Sequence, residues 1–355
     1  MSPFNWLPNI HPLLVHFPIA LFCVAVGFHL WKVIFAKDDK YDLLVLIGYI
    51  LTSISLAVTY LSGRSAADHV LIPDDALVAV STHADRAWVL LVYGLILTGL
   101  IIVVHVQKWD RSKLVDGGLA FLGVVGLGIL MVTADAGGRL VYGFGVGVQE
   151  NRESPKEEQV EQINHKKAVL NIQNDGSWRW EPTNEHSQPL KGLADWHLGN
   201  NTDVLGNLVA DKSGKAVLQL ELDNKEILFS IGSALDHVKV DIEINFTSFN
   251  GEFRLIHHLQ DADTYDYLAV EKGYISMGRS SKGEKRTFES ESVESKITSL
   301  SVVGDGRHLR GYVNGQLLVH AHEPPLPAGT TGLYMKGSGK ILVNSLTCKN
   351  LYRGE

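Results

Sequence analysis

The sequence predicts a multi-domain fold: an α-helical transmembrane four-helix bundle followed by an all-β antiparallel sandwich of the jelly-roll type. Two observations carry this. Leu13–Trp31, Leu43–Gly63, Ala87–Gln107 and Gly117–Ala134 contain no charged side chain, and about 20 apolar residues of helix cross the hydrocarbon core of a bilayer. From Ala168 onward the pattern changes to apolar and polar alternation broken by turn signals, as in half-buried strands. The 355 residues therefore divide into a transmembrane domain over 1–148, a charged linker over 149–167 and an extracytoplasmic sandwich over 168–355.

Charge is split between the parts. Residues 1–148 hold 9 Lys and Arg against 10 Asp and Glu, and the remainder 23 against 29. Neither part is basic, which argues against a nucleic-acid partner. Cys23 lies in the first span and Cys348 near the C-terminus, and no C-x-x-C-H is present, so covalent c-type haem is excluded. The N-terminus has no basic n-region or small-residue cleavage site, and Pro8, Pro12 and Pro18 interrupt it. It reads as a retained membrane segment.

The loops after spans one and three carry Lys32, Lys37, Lys40, Lys108, Arg111 and Lys113, whereas the other side carries Arg64, Arg86 and Arg139. The positive-inside rule places 32–42 and 108–116 in the cytoplasm. The N-terminus, the 64–86 loop and everything after about Thr133 then lie outside, in the periplasm beyond a bacterial inner membrane. Small residues recur along the spans: Thr52, Ser55, Thr59 and Ser62 on span two, Gly94 and Gly99 on span three, Gly123, Gly126 and Gly128 on span four. They let helices approach closely in lipid. The glycine-rich run from Gly137 to Gly147 has no phosphate-loop frame and reads as an extended segment packed on the membrane domain.

This topology collects His11, His16, His69 and His83 at one membrane face. Imidazole is costly in a bilayer without a partner or a role. His16 and His83 open helices that run in the same direction and could supply both axial ligands of a b-type haem, with Arg64 and Arg86 near its propionates. Two other readings stay open: hydrogen-bonded interface histidines, and a metal site in which His11 or His69 joins His16 and His83, with Asp68 or Asp85 as carboxylate. A second haem at His29 and His105 fits poorly. His29 is 13 residues beyond His16 and His105 is 22 beyond His83, roughly 20 Å against roughly 33 Å of helix.

The opening run His11-Pro-Leu-Leu-Val-His16-Phe-Pro-Ile-Ala-Leu resembles that of a bacterial four-helix membrane family catalogued as domain of unknown function 2231. Thr133-Ala-Asp-Ala-Gly-Gly-Arg-Leu-Val-Tyr142-Gly-Phe-Gly-Val-Gly-Val is similar to that family's closing signature. The resemblance covers about residues 5–148. It implies a redox setting, because members are often fused to cytochrome c or iron–sulfur modules, although the module fused here is of another kind.

In the second part, Val238–Phe246 alternates over nine residues, and Asn314-Gly315 between His308–Val313 and Gln316–Val319 signals a hairpin with a type I′ turn. The runs Phe253-Arg-Leu, Asp261-Ala-Asp-Thr-Tyr-Asp-Tyr-Leu, Leu309-Arg-Gly-Tyr-Val-Asn-Gly-Gln-Leu-Leu and Leu326-Pro-Ala-Gly-Thr-Thr-Gly-Leu-Tyr are similar to concanavalin A-like and laminin-G-like sandwiches. That superfold hosts lectins, adhesion modules and glycosidases alike. The Glu-x-Asp-x-x-Glu run of sandwich glucanases is absent. Trp178 and Trp180 share one strand face and could stack on a sugar or contact a partner, or else belong to the core. His257-His258 and His320-Ala-His322 could bind a metal or be ordinary surface residues. Asp261 and Asp263 are calcium candidates.

The leading expectation is a non-enzymatic module anchored in the lipid bilayer. Its sandwich would bind an extracytoplasmic protein or glycan, and its bundle would hold a b-type haem near the outer face. The alternatives are a b-type cytochrome subunit of a larger membrane redox complex and a carbohydrate-active hydrolase.

Overall fold

The computed structural model describes residues 10–36, 41–70, 72–108, 112–147, 170–182, 190, 193–211 and 214–351. The linker at 149–167 lies outside them. The chain divides into two compact units, 1–155 and 156–355.

The first unit contains α1 (His11–Leu14), α2 (His16–Phe35), α3 (Asp42–His69), a 3-10 turn at Asp74–Ala76, α4 (Leu77–Val106) and α5 (Lys113–Tyr142). Four segments, His11–Phe35, Asp42–Asp68, Asp74–Gln107 and Lys113–Tyr142, are long and apolar enough to cross a membrane. Pro18 explains the break between α1 and α2. It has no N–H for the carbonyl four residues earlier and its ring crowds that carbonyl. The carbonyl belongs to Leu14, which accepts the Thr59 hydroxyl of α3 instead, at 3.2 Å.

The bundle core joins Phe22, Ala25 and Val26 of α2, Val45, Tyr49 and Leu56 of α3, Leu90, Leu97 and Ile101 of α4, and Leu119 and Leu130 of α5. Leu44, Ile54, Ile96, Phe121 and Met131 point outward, so the helices are apolar on both faces, as lipid-facing helices are. Gly126 is a close-approach site, because a Cβ there would lie 2.5 Å from Phe22 Cζ and 2.9 Å from Tyr93 Cε1. The helices outrun the uncharged stretches. In particular, α5 continues through Gly137 and Gly138 to Tyr142, which corrects the expected extended segment. Within the helix Gly137 packs against the His83 ring, where a Cβ would lie 3.1 Å from His83 Cε1.

The second unit is antiparallel throughout its described pairings: β1 (Asn171–Ile172), β2 (Trp178–Trp180), β3 (Asp195–Leu198), β4 (Leu205–Ala210), β5 (Ala216–Leu235), β6 (His237–Phe246), β7 (Asn250–Asp261), β8 (Thr264–Glu271), β9 (Tyr274–Ser281), β10 (Glu284–Ser292), β11 (Ser299–Asp305), β12 (His308–Val313), β13 (Gln316–His322) and β14 (Gly329–Asn350). Strand order is β10-β9-β8-β7-β14-β6-β11-β12-β13, with β5 along the other side of β14. The first half of β14 pairs with β7 and the second half with β6. The long strands β14 and β5 thus run through both layers of the sandwich. The register of β14 shifts between Gly337 (φ 147°) and Gly339 (φ 116°), where left-handed backbone requires glycine. The far edges also meet: Arg286 of β10 pairs with Glu323, just past β13, at 3.0 Å.

One core fills the space between the layers, including Phe229, Val240, Ile242, Phe253, Leu255, Leu268, Met277, Val302, Leu333 and Ile341. Trp178 and Trp180 belong to it, at 1% and 3% exposure. This overturns the expectation that they meet a glycan or partner. The alternation was real, but it set the indoles inward, where Gly232 (φ 79°) packs on Trp178. The Asn314-Gly315 hairpin forms with positive φ at both turn residues, 51° and 81°.

Candidate functional site

At the end of the bundle where α1 begins, the structure selects His11 and not His16. Ser62 donates its own proton to Thr59 O at 2.8 Å, so His11 Nδ1–H donates to Ser62 Oγ at 3.0 Å. The ring lies over Gly63, where a Cβ would be 2.9 Å from His11 Cε1. His83 Nδ1–H donates to Thr133 O at 3.2 Å. His11 and His83 lie within electrostatic reach of each other. His16 is exposed on the outside of α2. Five residues of helix turn a side chain by about 140°, so with His11 inward His16 faces away. His16 and His83 therefore do not form the haem pair expected from the sequence. Arg64 and Arg86 are exposed, and Arg86 lines an open groove between α4 and α5 with Asp85, Val89, Gly128, Val132 and Thr133. The His69 side chain lies outside the described residues. Among the described residues, His11, His16 and His83 belong to no group of three ligating side chains.

The other end of the bundle holds a polar network. Lys32, in the last turn of α2, pairs with Asp42 in the first turn of α3 and with Asp116 in the first turn of α5, the latter at 3.0 Å. His29 Nε2–H donates to Asp116 Oδ1 at 3.1 Å, and its Nδ1 meets Tyr49 Oη at 3.2 Å. His29 and Tyr49 are each 1% exposed, and Lys32, Asp42 and Asp116 are also buried. Buried charges survive in such a setting by pairing. Sequence reading missed this site because charges beside an apolar stretch mark where a span ends. Lys32 and Asp42 looked like loop residues.

In the sandwich, His257, His258 and Asp266 form a closed internal group. His258 Nε2–H donates to Asp236 O at 2.9 Å, which leaves its Nδ1 to accept from His257 Nδ1–H at 2.6 Å. Arg279 holds both Asp266 oxygens, at 2.6 and 3.0 Å. Burial keeps the His257 imidazole well below its usual range, in its neutral form. A register shift after His257, with His258 at φ 51°, makes room for the two adjacent rings. Asp261 Oδ1 accepts the Asp263 N–H at 2.9 Å within the β7–β8 turn. Among the described residues neither aspartate joins a group of three metal-ligating side chains.

A different group occupies the outer face of the layer containing β7, β8 and β14. Phe253, Leu255, Leu268, Leu333 and Met335 point to the core, so Arg254, Tyr265, Tyr267 and Tyr334 stand on the opposite face. The Arg254 guanidinium sits between two rings, 4.5 Å from the Tyr267 centroid and 4.4 Å from that of Tyr334. It donates to Tyr265 Oη at 2.7 Å and to Glu252 Oε1 from Nε at 2.6 Å. Above this floor the rim alternates in charge. Tyr334 donates to Glu226 at 2.7 Å, Lys336 pairs with Glu226 at 3.0 Å, and Lys285 lies 3.7 Å from Glu252. The Tyr334 hydroxyl and Lys336 hold the Glu226 carboxyl below its usual range. Glu226, Lys285 and Lys336 are more than two-fifths exposed, so a ligand would meet the rim first.

Residues 7–150 match the model of a family described as Predicted membrane protein (DUF2231). No curated protein matches the chain. The sandwich is similar to several solved structures. A carbohydrate-binding module, CBM66, from Bacillus subtilis is 15% identical, over 43% of this chain and 96% of that one, with a TM-score of 0.34. A Bacillus subtilis protein of unknown function with a galectin-like fold is 11% identical over 46% and 92%, TM-score 0.36. A Bacillus licheniformis β-glucanase is 12% identical over 50% and 100%, TM-score 0.36.

Proposed function

We propose that this protein is a membrane-anchored binding module whose β-sandwich takes a glycan outside the cytoplasmic membrane. The anchor is the four-helix unit. Basic residues concentrated in the loops after spans one and three support placing the sandwich on the outer side. The observation that carries the binding reading is the outer face built on Arg254. A guanidinium clamped between Tyr267 and Tyr334 gives a rigid, dry floor, and preorganised groups lose little freedom on binding. The rim of Glu226, Glu252, Lys285 and Lys336 offers carboxylate acceptors and ammonium donors side by side, which suits neighbouring hydroxyls of a neutral sugar. The buried Trp178 and Trp180 have no part in it.

The test is titration of the full chain, in detergent or nanodiscs, with a panel of neutral bacterial oligosaccharides by calorimetry. Binding is expected, and Glu226→Gln and Tyr334→Phe should each weaken it about tenfold, the loss of one hydrogen bond to a charged group. A control substitution on β3, His197→Gln, should leave it unchanged. No binding across the panel, or binding indifferent to both rim variants, overturns the glycan reading.

A further inference from the structure

Strands β12 and β13 carry three histidines on one face. Leu309, Val313, Val319 and Ala321 of these strands point to the core, so His308, His320 and His322 project from the opposite side. His308 and His322 are direct cross-strand partners, and His320 stands two residues before His322. Ring centroids are 4.6 Å apart for His308 and His322, 4.6 Å for His320 and His322, and 5.9 Å for His308 and His320. One ring nitrogen from each lies within 4.8 Å of the other two. His308 is buried, His320 half-buried and His322 exposed, so the group reaches solvent on one side.

We propose that His308, His320 and His322 bind one divalent transition-metal ion of the zinc class, with three imidazole ligands and an open fourth position. Zinc–nitrogen bonds of 2.0–2.1 Å in a tetrahedron set the donor atoms about 3.3 Å apart. The rings of His320 and His322 reach that spacing by side-chain rotation, because neither is fully buried. The donor set discriminates. Imidazole suits zinc, copper, nickel and cobalt, whereas calcium and magnesium require oxygen ligands, and none of the three donors is an oxygen. A histidine pair at i and i+2 plus one on the neighbouring strand presents all three donors from a rigid ladder, leaving one coordination position for water or an anion. Arg310 shares this face, directly across from His320. Its positive charge favours an anion such as hydroxide or a carboxylate in the fourth position over a bare dication.

His257, His258 and Asp266 are a useful contrast. There His258 uses both ring nitrogens, on His257 and on Asp236 O, Arg279 holds the Asp266 carboxylate, and all three residues are buried. The triad on β12 and β13 lies on the outer face of the other layer from Arg254, so it stands or falls independently of glycan binding.

The test uses the full chain in detergent, stripped with EDTA, and titrated with zinc chloride by calorimetry and with cobalt chloride by absorption. One zinc per chain and the intense visible bands of tetrahedral cobalt are expected. His320→Gln and His322→Gln should each weaken zinc by more than about 100-fold, above what outer-shell partners alone cost. His322 is exposed, so its variant should keep the wild-type melting temperature without metal. His11→Gln serves as a control for the membrane unit and should change nothing. Absence of saturable zinc binding, an octahedral cobalt spectrum, or wild-type affinity in both strand variants overturns the proposal.

Discussion

His29 Nε2 lies 3.1 Å from Asp116 Oδ1, tying α2 to α5 through a side-chain cluster that also contains Lys32. The carboxylate serves two donors on α2 at once, and His29 passes the connection on to Tyr49 of α3. Three helices are thus clamped at one end of the bundle by largely buried groups.

Removing the shared carboxylate should be costly. Asp116→Ala leaves Lys32 with Asp42 alone and His29 without its acceptor. Breaking a buried ion pair from one side typically costs about 3–5 kcal/mol, whereas replacing the charges together by apolar groups is often neutral or stabilising. Thermal unfolding in detergent should show a large loss for Asp116→Ala and a much smaller one for the triple variant Lys32→Met, Asp42→Leu, Asp116→Leu. Equal losses in the two proteins would mean that the network does not act as a charge unit.

Trp178→Ala tests the corrected role of the indole. The side chain is 1% exposed and packed against Gly232. Deleting a core tryptophan leaves a cavity and costs about 3–5 kcal/mol. The sandwich transition should fall accordingly, while oligosaccharide affinity measured below that transition should be unchanged. A surface tryptophan would give the reverse pattern.

The parts of this molecule that were legible in the sequence are those written in local periodicity. Uncharged runs marked four helices, Val238–Phe246 became β6 nearly to the residue, and Asn314-Gly315 marked its own turn. What stayed hidden depends on which way an element is rotated or registered. Trp178 and Trp180 were placed together by alternation, but alternation does not say which face is inward. His16 lost its place to His11 because rotation about α1 and α2 is set by packing against α3. The histidine triad shows the limit most sharply. Val313 pairs with Gln316 and Tyr312 with Leu317, but the register shifts by one residue before Gly311, which brings His322 and not Ala321 opposite His308. A β-bulge leaves little trace in one sequence, so His320-Ala-His322 was visible while its third partner was not.

The pH dependence of the sandwich follows from two histidines of opposite sign. His237 donates from Nδ1 to Asp305 at 2.8 Å, and this bond raises its pKa despite partial burial, with Asp236 adding to the effect. Its folded value lies above the unfolded one, near 6.5. The stabilisation is therefore full below about pH 6.5 and lost as pH rises through the folded value. His257 acts in the other direction. Burial first, then the neighbouring His258 and Arg279, lower its pKa well below the unfolded value. Below about pH 6.5 the unfolded chain takes up a proton that the folded chain refuses, so acid weakens the fold through this residue. The stability gap between wild type and His237→Gln should be widest below about pH 6.5 and narrow as pH rises through the folded value. Below about pH 6.5 the two proteins should lose stability in parallel, because the His237 contribution is then constant and only the His257 penalty grows. Melting temperatures of both proteins from pH 5 to pH 9 measure this, and a gap that stays constant or widens with rising pH would remove the His237–Asp305 bond from the account.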